Sequence, residues 1–267
     1  MAKKKKVPQI VQDIREFKPL PINYAYQKNI SYSQFSLFHD CPKRWSLHYK
    51  EGHKVFNSSI HTVYDKSGAE ADRINTYEFF QNALRTEYKK QYKANNNQHF
   101  SSPDELRKFF DEGIEIIRDF AKNRGKHFSK RGWWLVGCEV PIQLAPDSNR
   151  PNVIYKGFLD VVMYHEPTDT FKIIDIKTSR SGWNNKVKKD ELKQFQLVLY
   201  NKFFSQQYNI PIENIDIEFF IVKRKIWEDT DYPMSRIQQF VPASGRNKMN
   251  KATKLLDQFL TDVFRLD

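Results

Sequence analysis

Asp175 and Lys177 stand two residues apart in the run Phe171-Lys172-Ile173-Ile174-Asp175-Ile176-Lys177. Side chains alternate across an extended strand, so this spacing puts a carboxylate and an ammonium on one face. Ile173, Ile174 and Ile176 read as core. Charged groups ending an apolar strand are costly to bury unless they are paired or bind something. Asp160 lies in the preceding apolar run, among Phe158, Leu159, Val161 and Val162, and a hairpin across Pro167 would carry it towards Asp175. Two carboxylates at one point suit a divalent cation, because Mg²⁺ takes oxygen ligands and keeps several waters. A salt bridge from Asp160 to a nearby lysine is the alternative of equal weight. Gln196 and Tyr200 then follow at i and i+4, one above the other on a helix. Such a pair suits contact with a phosphate or an attacking water, though an ordinary amphipathic helix can carry it too.

The elements that must position these groups are legible as patterns. Trp134 to Ile142, Val153 to Tyr164 and Phe171 to Thr178 are rich in β-branched and aromatic residues. They read as three strands, the last two joined by a turn over His165 to Asp169. Asp190 to Gln207 has helical spacing, Ile215 to Lys223 is a further strand, and Lys248 to Phe264 a closing helix. Upstream, Ser31 to Tyr49 reads as helical with Ser33 as a candidate N-cap, and Ile60 to about Lys93 as largely helical. Glu105 to Arg124 reads as a helix begun by Pro103. Residues 1–30, with Pro8, Pro19 and Pro21, read as an arm lying on the domain. The division expected is this arm, then a single domain over 31–267, mainly helical over 31–130 and α/β over 131–267.

The chain of 267 residues, 39% hydrophobic and 15% aromatic, can bury a sizeable core. Its formal net charge of +12 points to a polyanionic partner, nucleic acid or an anionic membrane. No apolar stretch is long enough to span a bilayer and no secretory h-region follows the N-terminus, so a cytoplasmic, non-membrane location is expected. The two cysteines, Cys41 and Cys138, make neither a disulfide framework nor a zinc quartet. The run Lys3 to Lys6 reads as a solvated tail, with a nuclear address or a phosphate-touching arm as the alternatives.

Taken in order, Gly157-Phe158-Leu159-Asp160, Ile173-Ile174-Asp175-Ile176-Lys177-Thr178 and Gln196-x-x-x-Tyr200 resemble the PD-(D/E)xK nuclease superfamily, in its RecB-like and Cas4-like exonuclease branch. Ser31-Tyr32-Ser33-Gln34-Phe35 with Cys41-Pro42-Lys43-Arg44-Trp45 is similar to that branch's opening helix. Ile60-His61 resembles its metal-binding histidine, and Glu139 its upstream acidic residue. Asn57 stands where the branch often has a glycine, four residues before the histidine. Many members hold an iron–sulfur cluster on four cysteines. Here Cys41 takes the first position, but no cysteine follows Cys138, so no such cluster is expected and Cys41 should be a small buried residue.

The resemblance implies a restriction-endonuclease-like core, a mixed sheet flanked by helices, behind an N-terminal helical region. It implies one or two Mg²⁺ or Mn²⁺ ions held by Asp160, Asp175, the Ile176 carbonyl and His61, with Glu139 binding or supporting the shell. Lys177 would position the attacking water or offset charge on phosphorus. Gln196 would orient Lys177 or the water, and Tyr200 would contact the DNA backbone. The activity implied is a metal-dependent deoxyribonuclease, an exonuclease of repair, recombination or genome processing acting on single- or double-stranded DNA, with a helicase or recombination partner compatible with that class. A structure-selective endonuclease and a non-catalytic nucleic-acid-binding protein of the same fold are the other readings. Lys43, Arg44, Arg180, Lys186, Lys188 and Lys189 flank the site in sequence and suit phosphate contacts, while Trp133, Trp134 and Trp183 are candidates for base stacking or core packing.

Overall fold

A computed structural model describes residues 6–53, 76–128, 131–226, 232 and 234–264. Among them a mixed six-stranded sheet is flanked by helices on both faces, the restriction-endonuclease-like α/β architecture expected. Strands β2 (Trp133–Leu144), β3 (Val153–His165), β4 (Thr170–Ser179) and β5 (Ile215–Lys223) lie within two residues of the patterned segments. Two further strands, β1 (Lys28–Ile30) and β6 (Ile237–Phe240), are too short for alternation to reveal. β3 to β4 is a tight antiparallel hairpin over Glu166–Thr168, with Asp169 in the left-handed region at φ 50°. β4 and β5 are parallel, β1 is parallel to β3, and the order is β1-β3-β4-β5-β6, with β2 on the other edge of β3.

Alternation in β4 and β5 divides the core cleanly. Phe171, Ile173, Ile217, Phe219 and Ile221 face the main core, whereas Ile174, Phe220 and Val222 face the opposite side. The main core is filled by α1 (Gln9–Glu16), α2 (Tyr32–Asp40), α7 (Glu191–Tyr208) and α8 (Arg246–Val263). The opposite face takes Ile116 and Phe120 of α5 (Pro103–His127). The preceding helix, α4 (Thr76–Ala94), packs on α5 through a separate small cluster of Phe80, Leu84, Phe109 and Ile114. Arg224, at the end of β5, ties this hairpin to the sheet: it pairs with Glu112 at 3.0 Å and lies 4.4 Å from the Phe109 ring centroid.

The upstream segments refine the sequence reading. Ser31 to Tyr49 is helical as expected, apart from one break. α2 ends at Asp40, and Cys41 is extended (φ −159°, ψ 101°) before α3 (Pro42–Trp45) and a π-helical turn, Ser46–Lys50. A residue before proline is pushed out of the helical region, which explains the break. The N-cap is Ser31 and not Ser33, its hydroxyl accepting from the Gln34 N–H. The arm is also more than a covering, since α1 buries Val11 and Ile14, and Arg15 donates to the carbonyls of Val136 and Leu135 where β2 is irregular. Cys41 is half-buried and Cys138 exposed. No helix among the described residues is long and apolar enough to cross a membrane.

Candidate active site

β3 carries the site because its two edges are unequally covered. β2 pairs with it from Tyr155 to His165 along one edge. On the other, β1 pairs only up to Tyr155 and β4 only from Val161. Residues 156–160 therefore have no strand partner on that edge. The alternation of β3 also breaks there: Tyr155, Leu159, Val162 and Tyr164 all face the main core, while Val161 and Met163 face α5. The step of three between Leu159 and Val162 means that side-chain alternation turns over at Asp160–Val161, while the β2–β3 register runs through unshifted and its one irregularity lies at Leu135–Gly137 of β2.

Asp160 stands where the alternation turns over. Extending the β3–β4 register would set it opposite Asp175, but the ladder stops at Val161–Ile174. The Asp160 carboxylate replaces the missing strand contact, its Oδ2 accepting from the Ile176 N–H at 2.7 Å. The N–H and C=O of one strand residue point to the same edge, so the Ile176 carbonyl also faces Asp160. Asp175 is 2% exposed, and Lys177, on its face as spacing predicts, places Nζ 2.8 Å from Asp175 Oδ2. That oxygen is buried without a well-aligned hydrogen-bond donor, and the ammonium 2.8 Å away is the group that compensates it. Burial drives the Asp175 pKa up to about 6, with Lys177 opposing and Asp160 adding to the rise. Burial likewise raises Asp160, against the lowering effects of the Ile176 N–H and Lys177.

α7 closes the site from the main-core side. Asp190 caps it, accepting from the Lys193 N–H, and Glu191 in its first turn pairs with Lys248 and Lys251 of α8. Gln196 donates to the Tyr200 hydroxyl at 3.5 Å, as their i, i+4 spacing allows. Burial raises the Tyr200 hydroxyl to about 12, with Gln196 opposing and the charges of Asp175, Asp160 and Glu139 adding. The β2–β3 register sets Glu139 across from Asp160, with Glu139 held at φ 53°. Left-handed backbone costs a non-glycine residue roughly 1–2 kcal/mol, and such residues collect at functional sites.

Among the described residues no group of three His, Cys, Asp or Glu side chains is gathered as a metal cage. His61 and Asn57 lie outside the described residues. The groups that do meet suit a hard divalent ion nonetheless: two carboxylates, a backbone carbonyl edge, and a buried carboxylate oxygen lacking an aligned donor.

The family model of the PD-(D/E)XK nuclease superfamily matches residues 29–264. The chain belongs to that superfamily. Membership implies nuclease or phosphodiesterase activity, acting on nucleic acid and typically with divalent metals such as Mg²⁺. The matched span opens in β1 and closes just after α8, so it takes in β1 and α2 as well as β3 and β4. No curated protein matches the sequence.

The remaining sequence candidates are scattered. Lys43 and Arg44 are exposed on α3, Arg44 lying 4.0 Å from Asp40. Arg180 follows β4 and lines a cavity with Lys108, Glu112, Arg224 and Lys225. Lys186 and Lys188 sit on a one-turn helix, α6 (Asn185–Lys188), which sequence reading leaves as loop; Lys188 lies 5.9 Å from the Phe240 ring centroid and Lys189 is exposed. Trp183 packs on Phe219 and Phe240, and the Trp134 indole donates to Glu166, so these two are structural. Sequence reading takes Ile176 as core, yet it is 40% exposed, and Phe158 of the neighbouring apolar run is 44% exposed, both beside the stretch of β3 edge that no strand covers. It also passes over Tyr32, whose hydroxyl donates to the Leu192 carbonyl and clamps the start of α2 to the start of α7. The Ser31-Tyr32 dipeptide of the opening motif is the signal that could have found it.

Proposed function

We propose that the chain is a divalent-metal-dependent deoxyribonuclease of the RecB-like and Cas4-like branch, an exonuclease acting on DNA ends in repair, recombination or genome processing. The observation that carries this reading is the meeting of Asp160, Asp175 and Lys177 where β3 and β4 part, around a buried carboxylate oxygen without an aligned donor. Asp160, Asp175 and the Ile176 carbonyl would hold one or two Mg²⁺ or Mn²⁺ ions, with His61 and Glu139 completing or supporting the set. Bound there, the metal supplies Lewis acidity towards the phosphate and lowers the pKa of a bound water.

The chain's own groups supply the rest. Lys177, 34% exposed, keeps one side open to substrate and offsets charge developing on phosphorus. Gln196 and Tyr200 form a polar wall on which a backbone phosphate or the attacking water is held. Lys43, Arg44, Arg180, Lys186, Lys188 and Lys189 contribute salt-sensitive affinity that does not depend on base sequence.

The test is digestion of end-labelled linear single-stranded, linear double-stranded and closed circular DNA with Mg²⁺ or Mn²⁺, comparing wild type with Lys177→Ala. Expected is metal-dependent shortening of linear DNA, reduced about 10²–10³-fold by the substitution, with circles spared. Cleavage of circles would replace exonuclease with endonuclease action. A folded protein that binds DNA and leaves it intact with either metal would refute the enzyme.

A further inference from the structure

A cleft of about 380 Å³ opens at the unpaired edge of β3, against Gln196 and Tyr200 of α7. Its walls include Asn29 and Ser31 from β1 and the α2 cap, Lys156 and Phe158 from β3, and Gln196 and Tyr200 from α7. The volume falls in the range of small-molecule sites and is far too small for a duplex. Phe158 stands two residues before Asp160 with 44% of its surface exposed, an unusual position for a phenylalanine in a strand. Lys156 Nζ lies 5.9 Å from the centroid of that ring, which puts a cation on the aromatic surface and within the same cleft. The cleft therefore combines one exposed aromatic face, one cation, and a rim of amide and hydroxyl groups.

Resting on the nuclease reading above, we propose that this cleft receives a single unpaired nucleotide of the strand being cut. Its base stacks on Phe158, its phosphate meets Lys156, and its polar edges meet Asn29, Ser31 and Gln196. A base within a duplex has both faces covered by its neighbours, whereas an unpaired base has a face free for the ring. The substrate class that follows is a single-stranded DNA end, or a duplex end frayed by at least one nucleotide. Phe158 and Lys156 are specificity-determining positions for it. The gap between β1 and β4 is what admits the strand, since a continuous β3 edge would close it.

The test measures binding rather than cleavage, so that it stands apart from the test of the nuclease reading. Full-length Lys177→Ala protein is titrated by fluorescence anisotropy, with Mg²⁺, against a fluorescein-labelled single-stranded oligonucleotide and a blunt hairpin duplex of the same sequence. Adding Phe158→Ala is expected to weaken single-strand binding about 5- to 150-fold, the range for one stacked base, and to change duplex binding by less than twofold. Phe158→Tyr keeps the ring and is expected to restore single-strand affinity. Lys156→Ala is expected to weaken binding and lower the slope of log affinity against log salt by about 0.7 for the single strand. The proposal is overturned if Phe158→Ala binds the single strand within twofold of its parent, if both substrates lose affinity equally, or if the parent binds no single strand. Phe158-dependent binding in a protein whose wild type never cuts would keep the cleft and refute the nuclease. Cleavage indifferent to Phe158 on a frayed end would do the reverse.

Discussion

Asp175→Asn should make the metal-free protein more stable, not less. Asp175 is 2% exposed, and its nearest cation compensates it without an aligned hydrogen bond. A carboxyl held at about 6, against an ordinary 3.8, carries an ionisation cost in the folded state. At about 1.4 kcal/mol per pH unit that cost is roughly 3 kcal/mol at neutral pH. It belongs to the Asp160–Asp175 pair as a whole, so the single substitution should recover about 1–3 kcal/mol. Because the folded pKa lies above the unfolded one, the cost is fully present above about pH 6 and fades as pH falls towards 4. Wild type without metal should therefore gain stability from pH 7.5 to pH 5, while Asp175→Asn changes less over that window. Urea unfolding at the two pH values, with and without Mg²⁺, checks this. At a metal concentration of 100 Kd, wild type should gain about 2.7 kcal/mol at pH 7.5 and the variant essentially none. A metal-free variant less stable than wild type, or one that keeps the Mg²⁺ gain, would refute the reasoning.

Three further outcomes follow from the packing. A Cβ added at Gly157 would sit 3.1 Å from Tyr200 Cε1 and 3.5 Å from its hydroxyl, so Gly157→Ala should displace that ring, cost about 1–3 kcal/mol in urea unfolding and lower cleavage as well. Glu112→Ala leaves Arg224, 11% exposed, without its partner and should cost about 2–4 kcal/mol; hydrogen exchange should rise over Thr76–His127 while β4 and β5 stay protected, and uniform exchange across the sheet would count against a separately packed hairpin. Tyr32→Phe removes the hydrogen bond to the Leu192 carbonyl and should cost about 1 kcal/mol, with a fall in DNA affinity by anisotropy if the α2–α7 clamp shapes the cleft.

Strands β3 and β4 were legible because their patterns are long. Ile173-Ile174-Asp175-Ile176-Lys177 and the run around Asp160 each announce a strand and a place where charge interrupts it. The i, i+4 spacing of Gln196 and Tyr200 likewise placed their contact. What alternation could not show is its own failure. Nothing in Leu159-Asp160-Val161-Val162 marks the break in alternation beside which Asp160 bonds Ile176 and Phe158 stays exposed. That break lies where β1 and β4 leave one edge of β3 unpaired between them, which is a tertiary matter. β1 and β6 were missed because strands of three and four residues carry too little periodicity. Ser33 competed with Ser31 for the cap because both residue types suit it, and the extended entry of Ser31 decided the matter.

The arm has a consequence for the order in which the molecule assembles. β2, β3 and β4 are neighbours along the chain and pair as antiparallel hairpins, so they can zip early from local contacts. The near wall of the cleft is different. Arg15 reaches Val136 across 121 residues of chain, and β1 must find Val153–Tyr155 from a similar distance. Loop closure of that span is entropically costly, and distant pairings of this kind form late. Until they do, the edge of β3 from Val153 onward is a bare row of backbone donors and acceptors, open to any extended chain. Asp160 and Asp175 are thus set in place before the wall beside them, and the arm that completes the cleft also guards this exposed edge of the sheet.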